Sequence, residues 1–597
     1  MTIGNRAKSF FRKPHNLILV TLAIALSFLT LFPLISLAKD TFIVHPSELM
    51  SVRGSHVGDV TLFHWKKVFA SGETSMKMFY MPLWNSAKTS LGSCAIAILL
   101  GGSVAWLVTR SDIRWKPFIS VVFIFPYVMP SWTLAMAWIN FFRNRLIGGA
   151  PGLFTALTGI ETANWFAYGV FPIIVVQGLH YAPFAYILIG GILRNMDANL
   201  EEAATILKAS RLKILSRITL PIVMPAVLST FLLVFSSCMS SFAVPAFLGT
   251  PVRFQVLTTQ LYRTLNGINP GYGYIMALVM IAIGTLILAA NQLFVGKRKS
   301  FTTVTGKSSN ISLVKLRGAR LPLSILLVGF AATISILPLV TFAVESFIMA
   351  PGDYSFGNLT TQFWIGEGRE DIGGGEPGIL LNKYIYLGLW NSVKLSLVVS
   401  LVAGTIGGLA GYAIVKARGT RLSALVNNLA FFPYLMPSMA FGAIYLSMFG
   451  KPTLLLPSLY GTFALLVLVG TVKYLPFASR AGVNAMLQLS NEIEESALIM
   501  GIPWWKRMAR IIFPIQKTSF LSGYLLPFIS CMRELALFVI LIVPANRVLT
   551  SMLFQYNEKG WNQYANAINL LIVLIVLAFN TIINKATGAS IDKGIGG

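Results

Sequence analysis

The chain has 597 residues, of which 55% are hydrophobic and 11% are charged, and its mean hydropathy is +0.72. This composition excludes a soluble globular protein and predicts a polytopic membrane protein. A formal net charge of +26 would suggest a nucleic-acid partner in a soluble chain. Here the Lys and Arg residues lie in short segments between apolar stretches, which is typical of cytoplasmic loops. We therefore expect membrane lipid, and no nucleic acid, as a partner.

Apolar stretches long enough to cross a bilayer predict an all-α protein with about 12 transmembrane helices. The predicted spans lie near residues 17–37, 84–109, 117–142, 166–193, 220–248, 274–295, 321–347, 390–415, 421–449, 459–480, 514–544 and 565–583. Arg6, Lys8, Arg12 and Lys13 precede the first span and place the N-terminus in the cytoplasm. An even number of spans returns the C-terminus to the same side.

Two short motifs indicate that the chain is a tandem repeat. L-W-N-S at residues 83–86 recurs at 389–392, and F-P-Y-V-M-P-S at 125–131 recurs as F-P-Y-L-M-P-S at 432–438. The halves are predicted to be parallel repeats, because an even number of spans separates the two copies of each motif. We predict a first domain at 1–295, a polar and basic cytoplasmic linker at 296–320, and a second domain at 321–597.

A charged segment also occurs twice, at residues 201–221 and 494–514. The copies begin E-E-A-A and E-E-S-A and end in Pro, and Glu495 and Pro514 lie 293 residues after Glu202 and Pro221. The pattern resembles the EAA loop of importer-type ABC transporter permeases, the helix-turn-helix that docks into a separate ATPase. In that family the turn residue is Gly. The resemblance implies a docking set of Glu201, Glu202, Ala203, Ala204, Lys208, Glu494, Glu495, Ala497, Gly501 and Trp504.

The turn residue distinguishes the two copies. Gly501 matches the family pattern, and Pro503 just beyond it suits a helix stop, whereas Lys208 departs from the pattern. The first copy is therefore the degenerate one. The alternative interpretation of both segments is that they are simple connectors, held inside by their basic residues.

The resemblance covers nearly the whole chain and implies a fused, two-domain permease of the type I importer fold. Its implied partners are two copies of a cytoplasmic ABC ATPase and an external substrate-binding protein, and its implied mechanism is alternating access in a bacterial inner membrane. The nearest match to a phosphate-binding loop, Gly306-Lys307-Ser308, has Phe301 where the first Gly is needed. We therefore expect no enzymatic activity and no cofactor on this chain, with ATP and Mg²⁺ bound by the ATPase.

Arg533 and Glu534 fall inside a predicted span, where charged residues are costly and usually functional. Together with Leu535 they resemble the Lys/Arg-Glu-Leu-Pro run of iron(III)- and thiamine-type two-domain permeases. This chain has Ala536 at the position of the Pro. V-P-A-F-L-G at residues 244–249 is reminiscent of the same subgroup. The resemblance makes iron(III) the first expectation, with thiamine, polyamine, phosphonate and sugar phosphate left open. Arg533 and Glu534 are interpreted as a gate or interdomain contact, or alternatively as an ion pair at the outer interface.

Pro126, Pro130, Pro433 and Pro437 also lie inside predicted spans, where each removes a helix hydrogen bond and bends the helix. The kinks either shape a central cavity or serve packing alone. His180, in the fourth predicted span, is interpreted as a packing residue rather than a ligand.

Two further groups of residues were considered as binding sites. An outer loop at 366–378 is rich in glycine and carries four carboxylates, those of Glu367, Glu370, Asp371 and Glu376. The loop is either a mobile, solvated segment or a contact for the binding protein. Cys94, Cys238 and Cys531 lie in apolar segments at spacings that match no metal site. We expect neither a metal site nor a disulfide framework.

A secondary transporter is the alternative from a different functional class, because parallel six-span repeats also occur in the major facilitator fold. That class needs coupling carboxylates within its spans. Apart from Glu534 and Glu345, which is near a span end, such carboxylates are scarce. The repeated charged segment and this scarcity favour the ABC importer.

Overall fold

The computed structural model describes residues 10–587 except positions 12, 53, 197–198, 297–312, 451 and 453–456. Gly306-Lys307-Ser308, most of the predicted linker and the basic residues Arg6, Lys8 and Arg12 lie outside the described residues. Within the described ranges the regular elements are helices, joined by a few isolated backbone bridges. The predicted all-α fold class is confirmed.

The first half is built from long apolar helices and from shorter helices between them. Its main helices are α1 (Pro14–Asp40), α2 (Met81–Arg110), α3 (Lys116–Val128), α4 (Ser131–Phe142), α5 (Val170–Asn195), α6 (Asn199–Ile206), α7 (Leu220–Met239) and α8 (Pro270–Gly296). Its short helices are Pro46–Glu48, Phe63–Phe69, Glu73–Ser75, Met76–Tyr80, Arg145–Gly148, Leu153–Thr158, Asn164–Ala167, Arg211–Ile214, Leu215–Thr219, Ala243–Gly249, Thr250–Val252 and Leu257–Leu265.

The second half repeats this order. Its main helices are α9 (Arg320–Ser346), α10 (Lys383–Lys416), α11 (Arg421–Leu435), α12 (Ser438–Phe449), α13 (Phe463–Leu487), α14 (Asn491–Ile499), α15 (Lys517–Met532) and α16 (Asn562–Thr587). Its short helices are Arg317–Ala319, Phe356–Asn358, Gln362–Ile365, Gly373–Gly375, Trp504–Arg507, Met508–Ile512, Phe513–Ile515, Pro544–Asn546 and Leu549–Glu558.

Several helices of the second half begin at polar N-cap residues. The side chains of Asn382, Thr420, Thr462 and Ser490 accept hydrogen bonds from backbone N–H groups in the first turns of α10, α11, α13 and α14. These bonds satisfy donors that have no partner inside the helix. The local sequence therefore sets where these helices start.

The span count agrees with the prediction. Nine described helices are long and apolar enough to cross a membrane, and the number rises to 11 when each of two bent helix pairs is taken as one span. Helix α15 has 16 residues, and it takes in the second half the place that α7 takes in the first. With it, each half has the six predicted spans.

The fifth span of each half is shorter than predicted. Helices α7 and α15 end at Met239 and Met532, whereas the apolar sequence led us to expect spans to 248 and 544. Arg533 is the C-cap of α15 and has non-helical dihedral angles. Arg533 and Glu534 therefore lie just beyond a helix end and not inside a spanning helix, which corrects the prediction.

The third span of each half is broken at the repeated proline motif. Helices α3 and α4 meet at 93°, and the second-half pair α11 and α12 is bent by 107°. Pro126 and Pro433 lie inside the first helix of each pair, and Pro130 and Pro437 are the N-caps of the second. Because the residue before a proline avoids the helical region, the chain turns at these points, as predicted.

The first helix of each half packs mainly against the other half. Helix α1 lies against α10, α11 and α12, while α9 lies against α3 and α4 as well as against α16. Tyr445 donates a hydrogen bond to the Leu29 carbonyl (2.6 Å), and Ser335 donates one to the Val122 carbonyl (2.8 Å). The two halves are therefore interlocked.

Buried polar pairs reinforce this junction. The Asn140 and Asn566 side-chain amides are 2.9 Å apart, and the Trp132 indole N–H donates to Asn569. Polar contacts between apolar helices help to fix their partners. At one end of α4, Arg143 forms a bidentate, buried contact of 3.0 Å with Glu345 of α9. This pairing gives Glu345 a structural role.

Glycines let the second and fourth spans approach closely at equivalent places. A Cβ atom at Gly101 would lie 2.3 Å from the Ala182 carbonyl oxygen of α5, and one at Gly407 would lie 2.5 Å from Ala478 of α13. Small residues at such contacts allow two helix backbones to meet. The α2–α5 and α10–α13 pairs form the matching centres of the two halves.

The segments predicted to lie outside the membrane are anchored at equivalent positions of α8 and α16. In the first half, Glu48 accepts a hydrogen bond from the Gly271 N–H (3.0 Å) and lies 2.9 Å from the buried His64 ring. In the second half, the Tyr564 hydroxyl donates to the Glu376 carbonyl oxygen. The carboxylate-rich loop 366–378 is thus tied to α16.

Candidate functional sites: two repeated loops and a central cavity

The two repeated loops turn in the same way despite different turn residues. Lys208 has a φ of 57° and Gly501 a φ of 70°. The next N–H in each loop, from Ala209 or Ile502, bonds back to a carbonyl five residues earlier, at 3.0 and 3.1 Å. This is the Schellman pattern of a helix end. The first loop keeps the turn even though its Lys pays a strain of about 1 kcal/mol in the left-handed region.

Each loop re-enters the apolar layer through a π-helical turn. These turns, Leu215–Thr219 and Met508–Ile512, are 293 residues apart in sequence. Pro221 and Pro514 lie in the first turn of the helix that follows, where a missing N–H costs nothing. Because π-turns are rare and often occur at functional sites, their repetition marks the loop-to-span junction in both halves.

The first Glu of each loop holds the loop to its own half. Glu494 is buried, accepts a hydrogen bond from the Tyr412 hydroxyl (2.8 Å), and lies 2.7 Å from Lys416 and 3.7 Å from Arg507. These partners stand on α10 and on the short helix after the turn. The Glu494 side chain therefore braces the loop from inside.

Glu201 has the corresponding place in the first loop. It accepts a hydrogen bond from Thr219 (2.6 Å) and lies 3.6 Å from the buried Arg110 at the end of α2. Glu201 and Glu494, both predicted to dock a partner, thus contact the body of their own half.

The other predicted docking residues divide between the two faces. Glu202, Ala203, Lys208, Glu495 and Gly501 are exposed, and Ala204 is half-buried. Ala497 is buried, and Trp504 packs on Tyr412 with ring centres 5.9 Å apart, so these two face the body of the protein.

Sequence reasoning missed the most exposed apolar side chains of the loops. Ile206 and Leu207 are each 81% exposed, and Ile499 and Met500 are 86% and 70% exposed. The two pairs precede the turns and are 293 residues apart, a repetition that the sequence shows. Apolar side chains held away from the protein body mark a surface that a partner buries. These four residues belong to the candidate docking surface, together with Glu202 and Glu495.

A central cavity of about 1040 Å³ lies between the two halves. Arg533, Glu534, Pro130 and Pro437 line it, whereas Pro126 and Pro433 do not. Its wall follows α13 from buried Tyr474 to exposed Gln488. Because α14 and the second loop follow α13, the cavity opens on the side of the repeated loops and closes near Glu534.

The proline breaks are held by a repeated contact. A helix would pair the N–H of residue 130 with the carbonyl of Pro126, but Pro130 has no N–H. The His180 ring nitrogen lies 3.0 Å from that carbonyl oxygen and supplies the missing donor. His180 is therefore a packing residue with a hydrogen-bonded ring, as predicted from the sequence. It also lines the cavity.

The same contact recurs in the second half with a different side chain. Pro437 has no N–H to donate to the Pro433 carbonyl. The Lys473 ammonium donates to the Pro433 carbonyl instead, at 3.1 Å, and also to the Met436 carbonyl. Lys473 lies 293 residues after His180, within K-Y-L-P-F-A where the first half has H-Y-A-P-F-A. This repeat was available in the sequence and would have identified both residues.

Arg533 connects the halves across the cavity. It donates to the Tyr127 and Val128 carbonyls at the end of α3, the latter at 3.3 Å, and its guanidinium lies 5.4 Å from the Tyr127 ring centre. Glu534 accepts hydrogen bonds from the Tyr474 hydroxyl (2.8 Å) and the Leu537 N–H (3.0 Å). The pair is not an outer-interface ion pair. Arg533 makes the interdomain contact.

Comparison with known families decides the class of the protein. The family described as "Binding-protein-dependent transport system inner membrane component" matches residues 97–300 and 403–589. The chain belongs to this family. It is an integral inner-membrane permease of the ABC importer class, a transport subunit and not an enzyme, with two permease domains fused in one chain. Membership removes the secondary-transporter alternative.

Relatives of this permease include transporters of two kinds. It is 25% identical over 493 residues to the ferric transport system permease protein FbpB of Actinobacillus pleuropneumoniae, covering 81% of this chain and 68% of the relative. It is 25% identical over 467 residues to the putative ferric transport system permease protein FbpB 1 of Haemophilus influenzae, covering 76% and 70%. The spermidine/putrescine permease PotC of Escherichia coli is 25% identical over 213 residues, covering 35% of this chain and 72% of PotC.

Proposed function

We propose that this permease imports iron(III) delivered by an external binding protein, and that two copies of a cytoplasmic ABC ATPase drive it from the two repeated loops. The ferric permeases among its relatives match about four-fifths of the chain, through both halves. The polyamine permease matches about a third of it. The ferric relatives therefore match through both fused domains, which supports iron(III) as the first candidate substrate.

The structure of the two repeated loops supports the proposal that an ATPase docks there. Both present a Glu, an apolar pair and a left-handed turn in the same register, and both continue through a π-turn into a span that flanks the cavity. A force applied to the exposed apolar pairs, Ile206 with Leu207 and Ile499 with Met500, reaches α7 and α15 directly. ATP and Mg²⁺ would bind to the ATPase, whose closure on ATP binding would move the two loops.

The topology follows from this assignment. If the loops meet a cytoplasmic ATPase, both chain termini and the linker at 296–320 are cytoplasmic as well. The segment 366–378 then faces outward, where a binding protein would dock. The first domain, 1–295, and the second, 321–597, supply one loop each, so a single chain would engage both ATPase copies.

Two measurements test the proposal. The detergent-solubilised chain should co-purify from its host membranes with an ATPase that carries Walker motifs, identified by mass spectrometry. Cells that contain the permease, ATPase and binding protein should accumulate ⁵⁵Fe, and cells without the permease should not. Absence of any ATPase from a stable, monodisperse preparation would overturn the ATPase assignment, and unchanged ⁵⁵Fe uptake without the permease would overturn the ferric one.

A further inference from the structure

The charge of the central cavity restricts what can pass through it. Among the described residues that line the cavity, Lys473, Arg480 and Arg533 are cationic at neutral pH and Glu534 is the carboxylate. Arg480 is exposed toward the open end, and the other two stand at the closed end. In a cleft with low-dielectric walls an excess of one sign concentrates ions of the opposite sign. The cavity therefore attracts anions.

The neutral polar groups of the cavity are suited to the same kind of solute. Ser236 and Ser241 line one side, and their hydroxyls can donate hydrogen bonds to oxyanions. Glu534, whose carboxylate oxygens accept hydrogen bonds from Tyr474 and from the Leu537 N–H, offsets one of the three cationic side chains, so the described lining keeps an excess of positive charge.

A bare ferric ion finds no ligand set here. Hard, highly charged cations require several anionic oxygen ligands. In the part of the chain that the structure describes, no three His, Cys, Asp or Glu side chains come together as a metal-binding group. A polyamine, which is a polycation, would meet the same cationic lining and be repelled.

We propose that the solute crossing this cavity is an anion, in which iron(III) is enclosed by carboxylate or phosphate oxygens that travel with it. The proposal rests on the ferric function above and names the chemical form of the cargo. Lys473 and Arg480 attract the complex by charge, and the serine hydroxyls donate hydrogen bonds to its outer oxygens. The volume of about 1040 Å³ accommodates such a complex, since small-molecule sites commonly measure about 300–1,000 Å³.

Binding to the full-length chain in lipid nanodiscs tests the charge preference directly. Equilibrium dialysis would use [¹⁴C]citrate, its ferric complex, [³²P]phosphate and [¹⁴C]spermidine. We expect the anions to be retained and spermidine not to be. Citrate and phosphate distinguish a carboxylate from a phosphate as the accompanying oxyanion. Retention of spermidine in preference to both anions would overturn the proposal.

One substitution separates charge from structure at the proline break. Lys473→His places in the second half the residue of the first half, which retains a ring N–H for the Pro433 carbonyl but is largely neutral above pH 7. We expect Lys473→His and Arg480→Gln each to weaken ferric citrate binding about tenfold, which is the size of one charge-assisted hydrogen bond. The matched control is Lys394→Gln, an exposed Lys on α10 outside the cavity. Equal binding by the three variants and the wild type, with unchanged unfolding transitions, would contradict the role of the charges.

Dual-label uptake in cells with the wild-type permease, ATPase and binding protein tests the form of the cargo. We expect ⁵⁵Fe to enter together with [¹⁴C]citrate or [³²P]phosphate in a fixed ratio. Entry of ⁵⁵Fe with neither label would overturn the anion proposal and leave the ferric function standing. Failure of ⁵⁵Fe to enter would overturn the ferric function, while the dialysis with [¹⁴C]citrate and [³²P]phosphate alone would still decide the charge preference.

Discussion

In both repeated loops the backbone turns at a left-handed residue and re-enters the apolar layer through a π-turn, yet the carboxylates that brace the loops meet different partners. Glu494 lies beside Tyr412, Lys416 and Arg507, while Glu201 lies beside Thr219 and Arg110. The two loops therefore share a backbone conformation, but different side chains stabilise it in each half. The second loop is the more firmly braced, and this difference can be measured.

The largest expected effect follows removal of the buried carboxylate in the second loop. Glu494→Gln removes the buried carboxylate charge beside Lys416 and Arg507, and breaking a buried ion pair in this way costs about 3 kcal/mol of unfolding free energy. Denaturant titration in detergent measures it. We expect Glu201→Gln to cost about 1 kcal/mol, and the exposed Glu495→Gln to change little. Equal losses for Glu201 and Glu494 would show that the two loops are braced alike.

The segments anchored to α8 and α16 also differ between the two halves, and the pH dependence of stability should show the difference. Burial alone would raise the pKa of Glu48, but hydrogen bonds from His64 and from the His45 and Gly271 N–H groups outweigh it and lower the pKa. A lowered carboxyl pKa contributes stability above the ordinary carboxyl range, and this stability is lost as the pH falls through the lowered value. The second half has a tyrosine hydroxyl at the equivalent anchor, which does not titrate there.

We therefore expect Glu48→Gln to lower the unfolding free energy by about 2 kcal/mol at pH 7, because it weakens a buried, charge-assisted contact. The difference from the wild type should shrink on acidification below the pKa of about 4.3 of an ordinary Glu. Melting temperatures at a series of pH values measure it, with Tyr564→Phe as the pH-independent comparison. A constant difference down to pH 3 would contradict the role assigned to the Glu48 carboxylate.

The exposed apolar pairs test whether the two loops contribute equally to ATPase binding. Replacing Ile499 and Met500 by Asp should weaken ATPase binding by about tenfold or more, because burial of one large apolar side chain is worth 1.5 kcal/mol or more. The same double replacement of Ile206 and Leu207 in the first loop is the matched comparison. Affinity of the purified ATPase for the chain in nanodiscs is the measurement, with Lys394→Gln, at an exposed position on α10 away from the loops, as the control. Unchanged affinity in both double variants would refute docking at these surfaces.

The smallest expected effects are of opposite sign in the two turns. Gly501→Ala should cost about 1 kcal/mol, because only the backbone conformation opposes it; a Cβ there would contact nothing within 4 Å. Lys208→Gly should stabilise the first loop by less than that, since Gly also loses more freedom on folding. Thermal unfolding of both variants measures the difference. Destabilisation by Lys208→Gly would mean that the Lys side chain, not the turn, matters at this position.

Much of the fold was readable from the sequence because hydropathy and repeats report it directly. The spans, the parallel halves, the loop register and the proline breaks all follow from residue patterns. The ends of α7 and α15 did not, because the apolar residues after Met239 and Met532 resemble a continuing span; hydropathy does not distinguish a helix from buried irregular chain. For the same reason Arg533 and Glu534 were placed inside a helix.

The candidate sites were predicted less completely than the fold. The loops were found, but which face of each helix is exposed depends on packing, so the burial of Glu494 and Ala497 and the exposure of Ile499 and Met500 could not be predicted. The partners of Pro126 and Pro433 were readable in principle from the repeated H/K-Y-x-P-F-A sequence. The packing of α1 and α9 against the opposite halves could not be predicted from local sequence, because it depends on contacts between residues far apart in the chain.

The exchange of first helices also has a consequence for how the protein is made. Leu29 of α1 accepts its hydrogen bond from Tyr445, which is 416 residues later in the chain. At a synthesis rate of about 5–20 residues per second, the ribosome needs roughly 20–80 s to deliver that partner. During this interval α1 lies against lipid or the insertion machinery instead of its final neighbours. Biogenesis of the nascent chain must therefore protect its first helix until the second half has been inserted.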